Sequence, residues 1–415
     1  MALEEYRDDM KTCCRCSVCK WIHLERLKGY DFAKICPSIA KYNYRAYSGG
    51  GRIGLGMALL EGHLDYESPK LQEVIYNCQM CGGCDTSCKY MMDMEVLEPM
   101  NEIRAELVKR GNVPAQLQAA CGALAKGGSM VVGASVSRND WMKGLKVADK
   151  GDVLFHAGCR TAFDEGQWSV AQNTVKLMEK AGVSVAVSAS EGCCGGRAFQ
   201  MGFKDEAEAQ AKKMAEGFKA AGVKTIVTDC AECYYAFAVL YDRFKVLDGI
   251  EVMHTSQYFA KLIADGKLTP SKPVNETVTY HDPCHLGRQA DPWVHGDFKR
   301  IDDQFIIFEP EKEYRRGTYG VYDAPRELLK AIPGLKLIEM QRNEESGWCC
   351  GAGGGVAEYN PAYALETAQE RVREIKSTGA TTVVTGCPGC ESLLGKAAGD
   401  VKVVDVVDLL AASVL

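Results

Sequence analysis

Residues 381–395 read TTVVTGCPGCESLLG, and residues 223–238 read VKTIVTDCAECYYAFA. In each, a β-branched run stops at a Cys-x2-Cys that opens a helix-forming stretch, the pattern of a short buried strand handing over to a helix. Working outward, each is the last member of a repeated series. In the first copy a strand over 152–156 ends at Cys159. A helical stretch over 165–181 and a strand over 183–187 lead into Glu191-Gly-Cys193-Cys194-Gly-Gly196, and a helix over 205–221 precedes Cys230 and Cys233. In the second copy strands over 277–280, 335–339 and 381–385 precede Cys284, Cys349-Cys350-Gly351, and Cys387 with Cys390. Strands alternating with helices of these lengths predict a duplicated α/β unit with parallel sheets and helices on both faces.

Ligands of such sheets sit beyond the carboxyl ends of the strands. Every cysteine group here follows a strand and precedes a helix, so the five thiols of a copy are expected at one sheet edge. Five exceeds the four that a structural zinc or a cubane iron–sulfur cluster uses. Glycines after each Cys-Cys pair permit positive φ and close approach to a bulky inorganic group. His281, His285 and Arg288 flank Cys284 in HDPCHLGR, where they could orient a ligand, contact substrate or supply a proton; His156, three residues before Cys159, reads more simply as a structural histidine. The copies differ in one respect: Cys159 and Cys193 are 34 positions apart, Cys284 and Cys349 are 65, so the second copy carries 31 extra residues. These fall near 290–322, as a surface excursion or as a loop that covers a site or docks a partner.

Upstream, Cys78-x2-Cys81-x2-Cys84-x3-Cys88 has bacterial ferredoxin spacing. Its companion is stretched: Cys13-x2-Cys16-x2-Cys19, then sixteen residues before Cys36-Pro37. Crossover of the fourth cysteine predicts two cubane [4Fe-4S] sites, one of Cys13, Cys16, Cys19 and Cys88, the other of Cys78, Cys81, Cys84 and Cys36. A zinc knuckle at the Cys13 group is the plainer alternative. Lys89 stands where a proline usually follows the run. Cys14 reads as a spare thiol and Cys121 as a core residue. Helices are expected over 69–76 and 95–110, the latter with Leu97, Met100, Ile103, Leu107 and Val108 on its apolar face.

Bulk properties narrow the function. The chain has 415 residues, 47% of them hydrophobic, enough for two or three cores. A formal charge of −6 offers no broad basic face for nucleic acid. Apolar runs such as 401–415 are short and interrupted by charge, and the N-terminus has no signal-peptide character, so a cytoplasmic protein is expected, one that a partner could hold at a membrane. Twenty cysteines bunched as Cys-x2-Cys in a long chain point to metal ligation rather than disulfides.

HDPCHLGR, CCGAGGG and TGCPGCESLLG, with EGCCGG and DCAEC before them, resemble the cysteine-rich CCG domains of heterodisulfide reductases. With the ferredoxin run ahead of them the layout is similar to the D-type subunit of that family over nearly the whole chain. Related architecture occurs in iron–sulfur subunits of glycolate, lactate and glycerol-3-phosphate dehydrogenases and in tungsten-dependent benzoyl-CoA reductase complexes. Residues 112–150, with Gly127-Gly128 and a polar stretch over 135–139, read as a linker ending near Gly151; the resemblance then implies a ferredoxin-like domain over 1–111 and CCG domains over 151–272 and 273–415. It further implies two noncubane [4Fe-4S] clusters, one on Cys159, Cys193, Cys194, Cys230 and Cys233, the other on Cys284, Cys349, Cys350, Cys387 and Cys390. No dinucleotide or flavin motif is present, so a flavin-containing or other redox partner in a larger anaerobic complex is expected to exchange electrons with the chain, in an electron-bifurcating or benzoyl-CoA reductase type of assembly. The alternative is a catalytic site in this chain that reduces a thiol or disulfide substrate. A zinc-bound interaction protein is the third class, disfavoured by the five-thiol sets.

Overall fold

A computed structural model of the chain describes residues 3–187, 192–302 and 307–415. Strands β1 (Val153–His156), β2 (Val185–Ala186), β3 (Thr225–Thr228) and β4 (Glu251–His254) form one sheet, and β5 (Thr277–Tyr280), β8 (Lys336–Leu337), β9 (Thr382–Thr385) and β10 (Lys402–Asp405) another; β6 (Lys299–Arg300) and β7 (Phe308–Glu309), which fall between β5 and β8 in the chain, pair antiparallel with each other. The orders β2-β1-β3-β4 and β8-β5-β9-β10 are the same topology twice, with every pair in both sheets parallel. Central strands are buried on both faces, as parallel strands between helices must be: Leu154, Phe155, Ile226, Val227, Val383 and Val384 are all fully buried.

Each copy has a fourth strand, β4 and β10, beyond the three expected from sequence. Both lie at a sheet edge, and their mixed sequences, EVMH and KVVD, lack a continuous apolar run. The strands leading to the Cys-Cys pairs are shorter than expected, two residues each, and lie at the opposite edge, where an isolated bridge also joins Ala186 to Ala148.

The copies embrace reciprocally. Helix Trp168–Lys180 of the first packs on Val406–Val414 of the second, and Thr255–Ala264 of the first packs on Asp323–Ala331 of the second. Val175, Met178, Phe259, Leu328, Leu329 and Leu410 meet in this one shared core, the self-complementary arrangement of two like units about an approximate two-fold.

Ahead of the sheets lie helices Gly49–Leu60, Pro69–Tyr76, Gly83–Met92, Leu97–Lys109 and Ala115–Gly127. Pro69 occupies the first turn, and the Ser68 hydroxyl accepts from the Leu71 amide, a cap that starts the helix where the sequence predicts. Ile53, Ile75, Ile103 and Leu107 share a core with Phe199, Met201, Phe218 and Leu240 of the first α/β copy, and Cys121 is buried within it. In the 112–150 segment the helix Ala115–Gly127 lies in this core through Leu117, Ala120 and Leu124.

Candidate functional site

The ferredoxin-type cysteines gather into two pockets. Cys13, Cys16, Cys19 and Cys88 line one, and Cys36, Cys78, Cys81 and Cys84 the other, the crossed grouping that the spacing predicts. Cys14 sits exposed on the rim of the first. The two loops repeat one backbone pattern: Arg15 (φ 64°) and Met80 (φ 50°) take the same place between cysteines, followed by Ser17 (φ 70°) and Gly82 (φ 76°). Left-handed φ is unfavourable for Arg, Met and Ser, and alternating turns of this kind aim amide N–H groups into a concavity that suits an anionic cluster. The amide of Met80 donates to Cys78 Sγ at 3.4 Å and that of Gly50 to Cys19 Sγ at 3.5 Å.

Gly49-Gly50-Gly51, which no cysteine motif marks, opens a helix that passes between the two pockets. A Cβ on Gly49 would lie 2.9 Å from Cys84 Cβ, and one on Gly50 would lie 3.2 Å from Cys13 Sγ. Lys89, where a ferredoxin has proline, is buried and ion-paired with Asp85 (2.7 Å) and Glu95 (2.8 Å) while its helix continues to Met92. Asp85 in turn accepts from the amides of Val96 and Leu97, which begins the next helix.

In the α/β copies the five thiols of each set stand in one chain of neighbours. Cys159 meets Cys193, which meets Cys194, then Cys233 and Cys230. Cys284 meets Cys349, then Cys350, Cys390 and Cys387. Gly195 (φ 79°) and Gly351 (φ 97°) hold equivalent left-handed turns, and their amides donate to Cys193 Sγ (3.5 Å) and Cys349 Sγ (3.2 Å). A Cβ on Gly351 would strike the Ala364 carbonyl at 2.4 Å, so this turn is reserved for glycine.

Two contacts join the sets. Cys81 of the second ferredoxin-type pocket meets Cys349, and Cys230 of the first α/β set meets Cys387 of the second. The Cys349 contact, outweighing burial, holds the Cys81 thiol down to about 6, with Arg288 adding to the effect; Cys193 likewise holds Cys194 at about 6. Burial pushes Cys36 up to about 11. Thiols packed this closely and this deeply share protons unless a cation binds them, and that donor set fits iron–sulfur clusters.

The three candidate residues beside Cys284 are all buried. Arg371 Nε donates to His281 Nδ1 at 3.0 Å, leaving the Nε2 hydrogen on a ring that groups with Cys350 and Cys390 within 4.8 Å. The Gln200 amide lies 2.6 Å from His285 Nε2 and also donates to Gln289, while His285 Nδ1 is 3.7 Å from Cys284 Sγ. Arg288 donates to the carbonyls of Cys81 (2.6 Å), Glu345 (2.8 Å) and Gly347 (2.6 Å), so it braces the second α/β site against the second ferredoxin-type pocket. His156 packs edge-to-face on Phe237, and burial, then Arg138, lowers it to about 3.

Sequence reasoning missed several neighbours. Arg138 donates to Cys159 Sγ at 3.3 Å. His254, kept neutral by burial, accepts from the Ser256 amide at Nδ1 and donates to the Gly386 carbonyl at 3.0 Å, tying the end of β4 to the cysteine loop of the other copy. Both residues lie on cysteine-free stretches, and nothing in the local sequence marks their contacts. In the 290–322 segment, of which 303–306 lie outside the described residues, Arg300 pairs with Asp8 at 3.1 Å and Arg316 with Asp93 of the N-terminal part, while Arg315 donates to the nearby Gln289 and Asp291 carbonyls.

Fold and thiol placement define a duplicated cysteine-rich α/β protein, and the cysteine-rich CCG domain family matches residues 153–238 and 278–395. The chain belongs to the family of the D-type heterodisulfide reductase subunits. It is 30% identical over 419 residues to the D-type subunit of Dihydromethanophenazine:CoB--CoM heterodisulfide reductase from Methanosarcina barkeri, covering 97% of this chain and 93% of the relative. It is also 29% identical to the EtfAB:quinone oxidoreductase of Syntrophomonas wolfei, over 81% of this chain and 46% of that protein. A hypothetical protein of Helicobacter pylori shares the fold at a TM-score of 0.52 and 11% identity, over 88% of this chain and 67% of that one. The chain is therefore an iron–sulfur oxidoreductase subunit with an electron-transfer role. Among the described residues no helix is long and apolar enough to cross a membrane.

Proposed function

We propose that the chain carries electrons along a line of four clusters within a larger redox complex. The line has two cubanes, on Cys13/Cys16/Cys19/Cys88 and Cys36/Cys78/Cys81/Cys84, followed by noncubane clusters on the second and then the first five-cysteine set. The carrying observation is the pair of thiol contacts, Cys81 with Cys349 and Cys230 with Cys387. They make the second α/β set the bridge and the first the far end. The bound clusters supply the single-electron chemistry. The protein buries most of their ligands, braces adjoining sets through Arg288 and His254, and presents donors to sulfur from glycine amides and Arg138, with the His281 ring beside Cys350 and Cys390. A flavin-containing subunit is the partner class that this reading requires, since the chain itself shows no nucleotide motif.

One observation favours a second reading, reduction of a thiol or disulfide substrate by this chain: the half-buried Arg160, opposed by Glu232 and Glu358, stands near Cys387 and Cys230 where the two sets face each other, a cation that an anionic substrate would share with those carboxylates. Anaerobic purification from the native host, with iron and sulfide analysis, separates the cases. The relay predicts about sixteen iron atoms per chain and a co-purifying redox subunit. A chain that emerges alone and reduces a disulfide from an artificial donor contradicts the relay; zinc in place of iron contradicts both.

A further inference from the structure

We infer that the face around Cys13, Cys16 and Cys88 is the docking site of an acidic electron-carrier protein, and is thus the port through which electrons pass between the chain and its partner. The inference rests on the relay reading and assigns it an entrance. Of the cysteines in the four sets Cys16 alone is exposed. Electron exchange needs close approach, so a carrier must sit over this edge.

The charge of the edge identifies the carrier. Arg15 and Arg45 line both the cysteine pocket and an adjoining groove of about 540 Å³, which Lys11 and His63 also line and to which Glu61 contributes the one carboxylate. Lys20 stands at the pocket itself. Lys11, Arg15 and Arg45 are exposed, and among the described residues neither they nor Lys20 has an ion-pair partner. This cationic face sits on a chain whose net charge is −6. Unpaired surface cations of one sign steer an oppositely charged partner and set its orientation more than they add affinity.

The rim supplies contact area. Tyr44, which lines the groove, is 67% exposed. Tyr, Met and Arg are the residues enriched at protein interfaces, whereas lysine-rich faces without them are commoner on free surface. A larger groove, lined by seven carboxylates that include Glu5, Asp8 and Asp9 against the cations Lys245, Lys312 and Arg315, carries the opposite net sign.

The test uses the holoprotein, purified anaerobically, with two donors: reduced flavodoxin, an acidic flavoprotein, and reduced methyl viologen, a small dication. Binding of flavodoxin is read by calorimetry and cluster reduction by freeze-quench electron paramagnetic resonance. The expected results are flavodoxin binding and reduction that fall at least about tenfold in wild type as salt rises, and that fall about as far at low salt in a K11E/R45E variant, which leaves the cysteine loop itself unchanged. Methyl viologen should reduce both proteins alike, which shows that the variant holds its clusters. If the variant loses iron, the salt dependence of wild type decides alone. Flavodoxin binding and reduction that ignore salt, or the absence of either in a wild type that methyl viologen reduces, overturns the port. Cubane signals that form while the noncubane signals never follow would instead overturn the relay on which it rests.

Discussion

Gly49 and Gly50 show how a single atom governs two pockets. Their missing Cβ atoms leave room for Cys84 and for Cys13, so alanine at Gly49 forces overpacking that costs about 1–3 kcal/mol and shifts a ligand. Gly49→Ala is expected to lose iron from the second ferredoxin-type site, with the α/β sites still loaded, as iron analysis and electron paramagnetic resonance would show. Arg371 is the other telling residue, fully buried, hydrogen-bonded to His281 and to Glu374 at 2.7 Å. Arg371→Met leaves His281 Nδ1 without its donor and frees the tautomer of the ring; we expect a loss of about 1–3 kcal/mol by denaturant titration. We also expect a lower potential at the second five-cysteine site alone, because a donor to its sulfurs is no longer fixed.

At the scale of elements, helix Gly83–Met92 departs from the ferredoxin pattern for a physical reason. Lys89 extends it past Cys88 and neutralises Asp85 and Glu95, both buried, and Asp85 then starts Leu97–Lys109. Lys89→Met strands two carboxylates, and breaking a buried pair from one side costs about 3–5 kcal/mol. Loss of iron at the Cys88 site and lowered thermal stability should appear together in one preparation. A variant of unchanged stability would mean that the carboxylates find other partners. The alternation of strands and helices and the cysteine grouping were readable in the chain because β-branched runs, Cys-x2-Cys and crossover spacing are local signals. Strands β4 and β10 were not, since edge strands with mixed residues carry no such signal. The contacts of the 290–322 segment with the N-terminal part were equally hidden, because Arg300 and Arg316 find their partners, Asp8 and Asp93, far along the chain.

Across the whole molecule the same limit is sharper. Spacing assigned each cysteine to a set, and the structure brings each set together. No local pattern says that Cys81 touches Cys349 or Cys230 touches Cys387, because these contacts depend on how the copies embrace and where the N-terminal helices rest on them. The N-terminal part holds its two thiol pockets with short helices and single 3₁₀ turns, whereas the central strands of both sheets are fully buried between helices. Chelation of iron should therefore raise amide hydrogen exchange first over residues 10–90 and only later in β1, β3, β5 and β9, since metal binding contributes folding energy to the loops that carry the ligands. Equal exchange in both regions would contradict that division.

The order of the line is the central claim, and rapid-freeze electron paramagnetic resonance after mixing the oxidised holoprotein with a reduced protein donor tests it most directly. The account predicts that the cubane signals change first and the noncubane signals follow at a rate set by the cubanes. Noncubane clusters that respond before the cubanes, or at a rate independent of them, would contradict it.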